Sequence, residues 1–130
     1  MNRRPQGLRI AVANDERDMR QFFQELLPRL GHVVVAAAET GRQLVEQAAA
    51  HQPDLVITDI KMSDVDGLAA AAAVNRDRQV PVILVTAHRD VDALDLDGAG
   101  YVMAYLVKPV KPMDLQAAIA LAVTRFEQFR

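Results

Sequence analysis

The sequence predicts an α/β domain built on a doubly wound parallel sheet, five strands and five helices in the order βαβαβαβαβα. Three observations carry this. Five short apolar runs recur at regular intervals, and the stretches between most of them show helical spacing. The runs are apolar at nearly every position rather than at alternate ones, which suits strands covered on both faces by helices. The chain has 130 residues, 51% of them hydrophobic, enough for one domain with an ordinary single core.

Residues 8–13 (LRIAVA) read as the first strand, closed by Asn14-Asp15-Glu16. Met19, Phe22, Phe23, Leu26, Leu27 and Leu30 then fall at helical intervals and form one apolar stripe. Pro28 in the last turn should bend or fray that helix, and Gly31 ends it. Residues 33–37 are a second, β-branched run. Thr40-Gly41-Arg42-Gln43 has capping-box spacing and opens a helix to about His51. Pro53-Asp54 turns the chain into the strand Leu55-Val56-Ile57-Thr58-Asp59. A polar loop, residues 60–67, leads to an alanine-rich helix over about 68–75, with Asp64 and Asp66 in its N-cap region. Residues 80–86 (VPVILVT) form a fourth strand, whose early Pro81 is tolerable near a strand start. Residues 89–100 carry four aspartates and two glycines with weak periodicity, and should be the least stable helix. Residues 103–107 make the fifth strand, ending at Lys108-Pro109. The last helix, from about Met113, stacks Leu115, Ile119, Ala122, Phe126 and Phe129 on one face.

Composition excludes several classes. Without cysteine there is no disulfide framework, thiolate metal site or cysteine nucleophile. A net charge of −2 favours neither nucleic acid nor an anionic membrane. No apolar run approaches membrane-spanning length, and residues 1–7 lack the apolar segment of a secretory signal. The expectation is a short disordered leader over 1–7, one domain over 8–130, and a cytoplasmic location. The histidines His32, His51 and His88 have no ligand spacing and read as surface or loop residues. The acidic run over 90–98 lacks the register and distal glutamate of a calcium loop, and reads as a solvated acidic helix.

In an open parallel sheet, chemistry collects at the carboxyl ends of the strands. Those ends carry Asn14-Asp15-Glu16, Asp59, Thr86 and Lys108, whereas the second strand ends in alanines, as an edge strand remote from a site would. A buried strand has no structural need to finish on a carboxylate, because an unpaired charge there is costly to desolvate. Asp15 and Asp59, if they converge, repel each other unless a cation lies between them. A hard oxygen site with few protein ligands suits Mg²⁺. Beside such an ion a carboxylate can attack a phosphoryl donor. Lys108 would offer a compact positive charge to the phosphate, and Thr86 a hydroxyl donor.

These motifs, taken in order, resemble the receiver domain of two-component response regulators. They are Asn14-Asp15-Glu16; Asp59 followed by Lys61-Met62-Ser63 and Asp66-Gly67; Thr86-Ala87; and Tyr105-Leu106-Val107-Lys108-Pro109. The resemblance covers about residues 8–126. It implies a flavodoxin-like (βα)5 fold with strand order 2-1-3-4-5. It implies that Asp59 is the phosphoacceptor, loaded from a histidine kinase or phosphotransfer protein. Asp15, Asp59 and the Lys61 carbonyl would bind Mg²⁺, with Asn14 contributing weakly or through water. Thr86 and Lys108 would hold the phosphoryl oxygens, and Lys108-Pro109 would be a cis bond. Thr86 and Tyr105 would be the switch pair, reshaping the face made by helix four, strand five and helix five, which is also the candidate homodimer surface. Such a module is not an enzyme beyond its own phosphorylation and dephosphorylation.

Three departures from the family pattern stand out. Asn14 replaces a second acid, which should weaken attraction for Mg²⁺. Ser63 replaces a proline, leaving the loop less rigid. Lys61 and His88, two residues beyond Asp59 and Thr86, are expected to set the dephosphorylation rate. A narrower similarity, over 102–109 and 118–126, is to antiterminator-type regulators, which carry an RNA-binding ANTAR domain after an extended last helix. The chain is then either a module cut from a longer regulator with a C-terminal output domain or a stand-alone regulator that kept the surface, and the final residues, still helical in pattern and uncapped, favour the first.

Two other classes fit less well. A haloacid-dehalogenase-class phosphatase also uses a strand-end Asp with Mg²⁺, but needs an acid where this chain has Lys61, and a cap domain for which there is no length. A pseudo-receiver that works without phosphate, by dimerisation or partner docking, is favoured by Asn14 and Ser63.

Overall fold

The computed structural model describes residues 6–87 and 101–129. The elements are β1 (Arg9–Ala13), α1 (Arg17–Arg29), β2 (Val33–Ala38), α2 (Gly41–His51), β3 (Leu55–Asp59), α3 (Gly67–Asp77), β4 (Val82–Thr86), β5 (Val102–Val107) and α4 (Pro112–Phe129). The helix expected over 89–100, and His88, lie outside the described residues, so α4 is the fifth helix of the sequence reading. All strand pairs are parallel, in the order β2-β1-β3-β4-β5. This is the flavodoxin-like order the motifs imply.

Strand alternation sends successive residues to opposite faces of the sheet. On one face Ile10, Ile57 and Ile83 pack with Phe23 and Leu27 of α1 and with Leu115 and Ile119 of α4. On the other, Ala11, Ala13 and Val56 pack with Leu44 and Ala48 of α2 and with Ala70 of α3. The first face is bulky, and the second is lined largely by alanine. Every residue of β3 and β4 is buried, as near-continuous apolar runs require.

The helix ends explain several boundaries. Pro28 lies inside the last turn of α1 without ending it, because Leu30 N–H still donates to Leu26 and Leu27. Gly31 adopts φ +92°. Its N–H donates to Pro28 O, and the next N–H, of His32, to Leu27 O, which completes a Schellman stop. Thr40 caps α2 by accepting from Gln43 N–H at 3.1 Å. The reciprocal bond of a capping box is displaced by one residue, since Gln43 Oε1 accepts from Glu39 N–H at 2.8 Å. Asp66 caps α3, accepting from Ala69 N–H at 2.8 Å. β4 starts at Val82, two residues later than the apolar run, and Pro81 offers only its carbonyl, to Val56 N–H at 3.0 Å.

The last helix buries Leu115, Ile119, Ala122 and Phe126, as its spacing predicts. It is pinned near its far end twice. Arg125 Nη1 donates to Met103 O at 2.9 Å, and Phe126 meets the ring of Tyr101 edge-on at 6.0 Å. Tyr101 holds a left-handed backbone at φ +59°, and its hydroxyl accepts from Gln79 at 2.6 Å. No described helix is long and apolar enough to cross a membrane.

Two expectations are corrected. His32 is not a surface histidine but is buried at 6% exposure, with its Nδ1 accepting from Leu8 N–H at 3.2 Å. The apolar neighbourhood at the start of β1 and β2 takes it in because the backbone donor satisfies it. Asp64 does not belong to the cap of α3. Its carboxylate accepts from Gly41 N–H at 2.9 Å and Arg42 N–H at 3.1 Å, so it caps α2 from another loop. Gly7, assigned to the leader, is tied to the fold by a 2.7 Å bond to Gly31 O.

Gly67 sets α3 directly against the end of β3. A Cβ there would stand 2.0 Å from Asp59 O, and Gly67 N–H donates to Ile60 O at 2.7 Å. The atoms such a Cβ would meet are all backbone, so Gly67→Ala should cost about 2–3 kcal/mol in urea unfolding, near the top of the overpacking range. Burial lowers the pKa of His32 from its ordinary value of 6.5. The unfolded chain therefore binds a proton near 6.5 that the folded chain refuses until lower pH. Stability from this group is complete above 6.5 and declines as pH falls below it toward the folded pKa. His32→Asn keeps an acceptor for Leu8 N–H without titrating. Thermal unfolding should show a smaller loss of midpoint from about pH 8 to about pH 5.5 in that variant than in the wild type.

Candidate functional site

The carboxyl ends of β1, β3 and β5 deliver three polar side chains to one place, and the neighbouring strand β4 ends on Thr86. Asp59 ends β3 with 3% exposure, Asn14 follows β1 at 1%, and Thr86 ends β4 at 2%. Lys108 follows β5 and is partly exposed. Register does the positioning: Asp59 lies opposite Val85, and Thr86 opposite Val107. Lys108 N–H donates to Thr86 O at 2.9 Å, which carries the sheet one residue past β5. The Lys108-Pro109 bond is cis.

Among the described residues three donors meet the Asp59 carboxylate. Lys108 Nζ lies 2.6 Å from Oδ2 and Asn14 Nδ2 lies 3.1 Å from the same oxygen. Lys61 N–H reaches Oδ1 at 3.3 Å. The Asn14 amide is used at both ends, because its Oδ1 accepts from Glu16 N–H at 2.9 Å. That bond occupies the amide oxygen and orients the nitrogen toward Asp59. Thr86 Oγ1 donates to Ala87 O at 3.3 Å, a long bond that is readily exchanged.

Asp15 is exposed in the β1–α1 turn and makes no hydrogen bond or ion pair among the described residues. Among those residues no three of His, Asp and Glu cluster as a metal site. The oxygens on offer are the Asp15 and Asp59 carboxylates and the Lys61 carbonyl. These are hard donors, few in number, of the kind Mg²⁺ accepts while keeping waters. The set fits the ion in kind, with one carboxylate fewer than two strand-end acids at β1 would supply and with Lys108 already on Asp59. Tyr105 lies on β5 opposite Leu84, with 44% of its surface exposed. The Lys61 side chain is exposed, and His88 is outside the described residues.

Two contributors escaped the sequence reading. Arg20, on α1, donates from Nη1 to Asn14 O at 2.9 Å and from Nη2 to Glu39 at 3.4 Å. It fixes the turn that presents Asn14, and no local spacing signals it. Asp64 ties the loop after Asp59 to α2. The N–H groups of Val65, Gly41 and Arg42 hold its carboxyl below the ordinary carboxylate range, while partial desolvation opposes them.

Residues 10–120 match the response regulator receiver domain. The chain is 40% identical over 120 residues to the transcriptional regulatory protein PdtaR of Mycobacterium tuberculosis, covering 92% of this chain and 58% of that protein. It is 31% identical over 121 residues to the probable transcriptional regulator ycf27 of Guillardia theta, covering 90% of this chain and 46% of that one. The chain thus spans roughly half the length of these two relatives. Among solved structures, a response regulator receiver domain protein from Clostridium thermocellum superposes with a TM-score of 0.82 at 28% identity, over 95% of this chain and 99% of that one. The family match over most of the chain, on a sheet of the expected strand order, shows that this chain belongs to the response regulator receiver domains.

Proposed function

We propose that the domain is a phosphorylation-switched signalling module in which Asp59 accepts a phosphoryl group from the phosphohistidine of a histidine kinase or phosphotransfer protein. The observation that carries this reading is the Asp59 carboxylate itself, buried at the mouth of β3 with Lys108 Nζ at 2.6 Å. In the transfer an Asp59 oxygen attacks phosphorus, the donor's N–P bond breaks, and the departing imidazole takes up a proton. Asp15, Asp59 and the Lys61 carbonyl would hold Mg²⁺, with Asn14 acting through water because its own oxygen is bonded to Glu16 N–H. That ion supplies neutralising charge for the transferring oxygens.

The chain's own groups do the rest. The Lys108 ammonium moves its contact from the carboxylate to a phosphoryl oxygen. Thr86 gives up its 3.3 Å bond to Ala87 O and donates to another. The added group brings up to about two negative charges and three strong acceptors. The state in which Thr86 and Lys108 both reach it is therefore favoured, and the population shifts toward it. Tyr105, partly exposed on β5, moves inward as Thr86 turns, and the surface of β5, α4 and the helix expected over 89–100 changes with it. That surface is the candidate site for homodimers. Lys61 and His88, each two residues beyond Asp59 and Thr86 in sequence, would tune the lifetime of the phosphoaspartate. The resemblance to antiterminator-type regulators favours a cytoplasmic protein whose output is RNA binding by a following domain.

One observation favours a second reading. Asn14 Nδ2 and Lys108 Nζ both donate to Asp59 Oδ2, so the carboxylate also serves as the centre of a hydrogen-bonded cluster that joins three strand ends. A pseudo-receiver signalling through protein contacts alone would use that cluster as structure.

Intact mass measurement after treatment with a small phosphodonor and Mg²⁺ separates the two. One phosphoryl group should appear in the wild type and none in Asp59→Asn; a folded wild type that gains nothing supports the pseudo-receiver. Asn14→Asp replaces a donor to Asp59 by a like charge. Without metal that variant should unfold at a lower temperature than the wild type. By calorimetric titration it should bind Mg²⁺ roughly tenfold more tightly, about 1.4 kcal/mol.

A further inference from the structure

The loop between β3 and α3 carries the backbone that serves Asp59, and its two ends are fixed. Lys61 N–H reaches the Asp59 carboxylate at one end, and Gly67 N–H is bonded to Ile60 O at the other. Between them Lys61, Ser63 and Asp64 are exposed, and Met62 and Val65 are only half-buried. Met62 and Val65 lean on the α2–α3 side of the core, which holds one face of the segment and leaves its exposed backbone to polar contacts. Ser63 leaves φ free, and its N–H donates no hydrogen bond among the described residues.

The tether in the middle is Asp64, whose two oxygens take the N–H groups of Gly41 and Arg42, the first two residues of α2. Thr40 takes the third, from Gln43, so all three donors of the helix's first turn are satisfied, two of them by a residue 22–23 positions away in sequence. The fit is close on the backbone side too. A Cβ on Gly41 would stand 2.3 Å from Val65 O, so the loop is pressed onto α2 where only glycine leaves room. A negative charge at a helix N-terminus is favoured by the helix dipole as well as by the hydrogen bonds.

We infer that Asp64 is a positioning residue for the phosphoacceptor: by capping α2 from the β3–α3 loop, it holds the Lys61 backbone against Asp59. The rate arm of the test below rests on Asp59 being phosphorylated; the exchange arm does not. Asp64→Ala removes both acceptors. Thr40→Ala removes one cap of the same helix without touching the loop, and so controls for lost α2 stability. Ser63→Pro restricts the loop backbone by another route.

Amide hydrogen exchange on the full chain should show Lys61 N–H losing protection in Asp64→Ala and keeping it in Thr40→Ala. With a small phosphodonor, phosphorylation should slow on the order of tenfold in Asp64→Ala, change little in Thr40→Ala, and recover at least in part in Asp64→Ala with Ser63→Pro. Equal Lys61 exchange in the two single variants overturns the inference. So does equal slowing of phosphorylation, which would make Asp64 a plain helix cap. If the wild type takes no phosphate, the reading of Asp59 fails while the exchange arm still decides the role of Asp64.

Discussion

An ionised carboxylate at the end of an apolar strand is tolerable only when donors replace the water it has lost. Asp59 has three, and they come from three different segments: the end of β5, the turn after β1 and the loop following β3 itself. Each segment must be in register for the cluster to form, so the sheet order is a precondition of the site. β3 sits between β1 and β4, and β5 lies beyond β4, which brings Lys108 and Asn14 to the same oxygen from opposite sides of the central strand.

The second layer is built from helix beginnings and glycines. Gly67 lets α3 start against the Asp59 carbonyl, and Gly41 lets α2 start against the Val65 carbonyl. Both glycines are buried and both open their helices, so what they provide is close approach. The alanine-lined face of the sheet is of a piece with this, because small side chains let α2 and α3 lie near the strands whose ends they help to shape.

Strands and strand-end residues were legible in the sequence because they depend on local periodicity and on where apolar runs stop, whereas the strand order came from the family resemblance. Asp59, Thr86 and Lys108 were found that way, and the structure places all three at neighbouring strand ends. What escaped depends on partners distant in sequence. Asp64 looks like a cap for the helix three residues ahead, yet it caps one that began 23 residues earlier. His32 follows a helix-ending glycine, where polar residues are ordinarily solvated, and only the Leu8 N–H explains its burial. The double use of the Asn14 amide required knowing that Glu16 N–H would claim its oxygen. Residue types and spacing restrict such choices without deciding them.

The clamps near the far end of α4 have a mechanical meaning. Arg125 grips the backbone of β5 at Met103, while Phe126 leans on Tyr101 just before that strand begins. Strand and helix are thereby bolted together far from the turn that joins them, like the two flanges of a girder. The 18 residues of α4 therefore run alongside β5 tied at both ends, by these contacts at the Tyr101–Met103 end and by the chain itself at the Lys108 end.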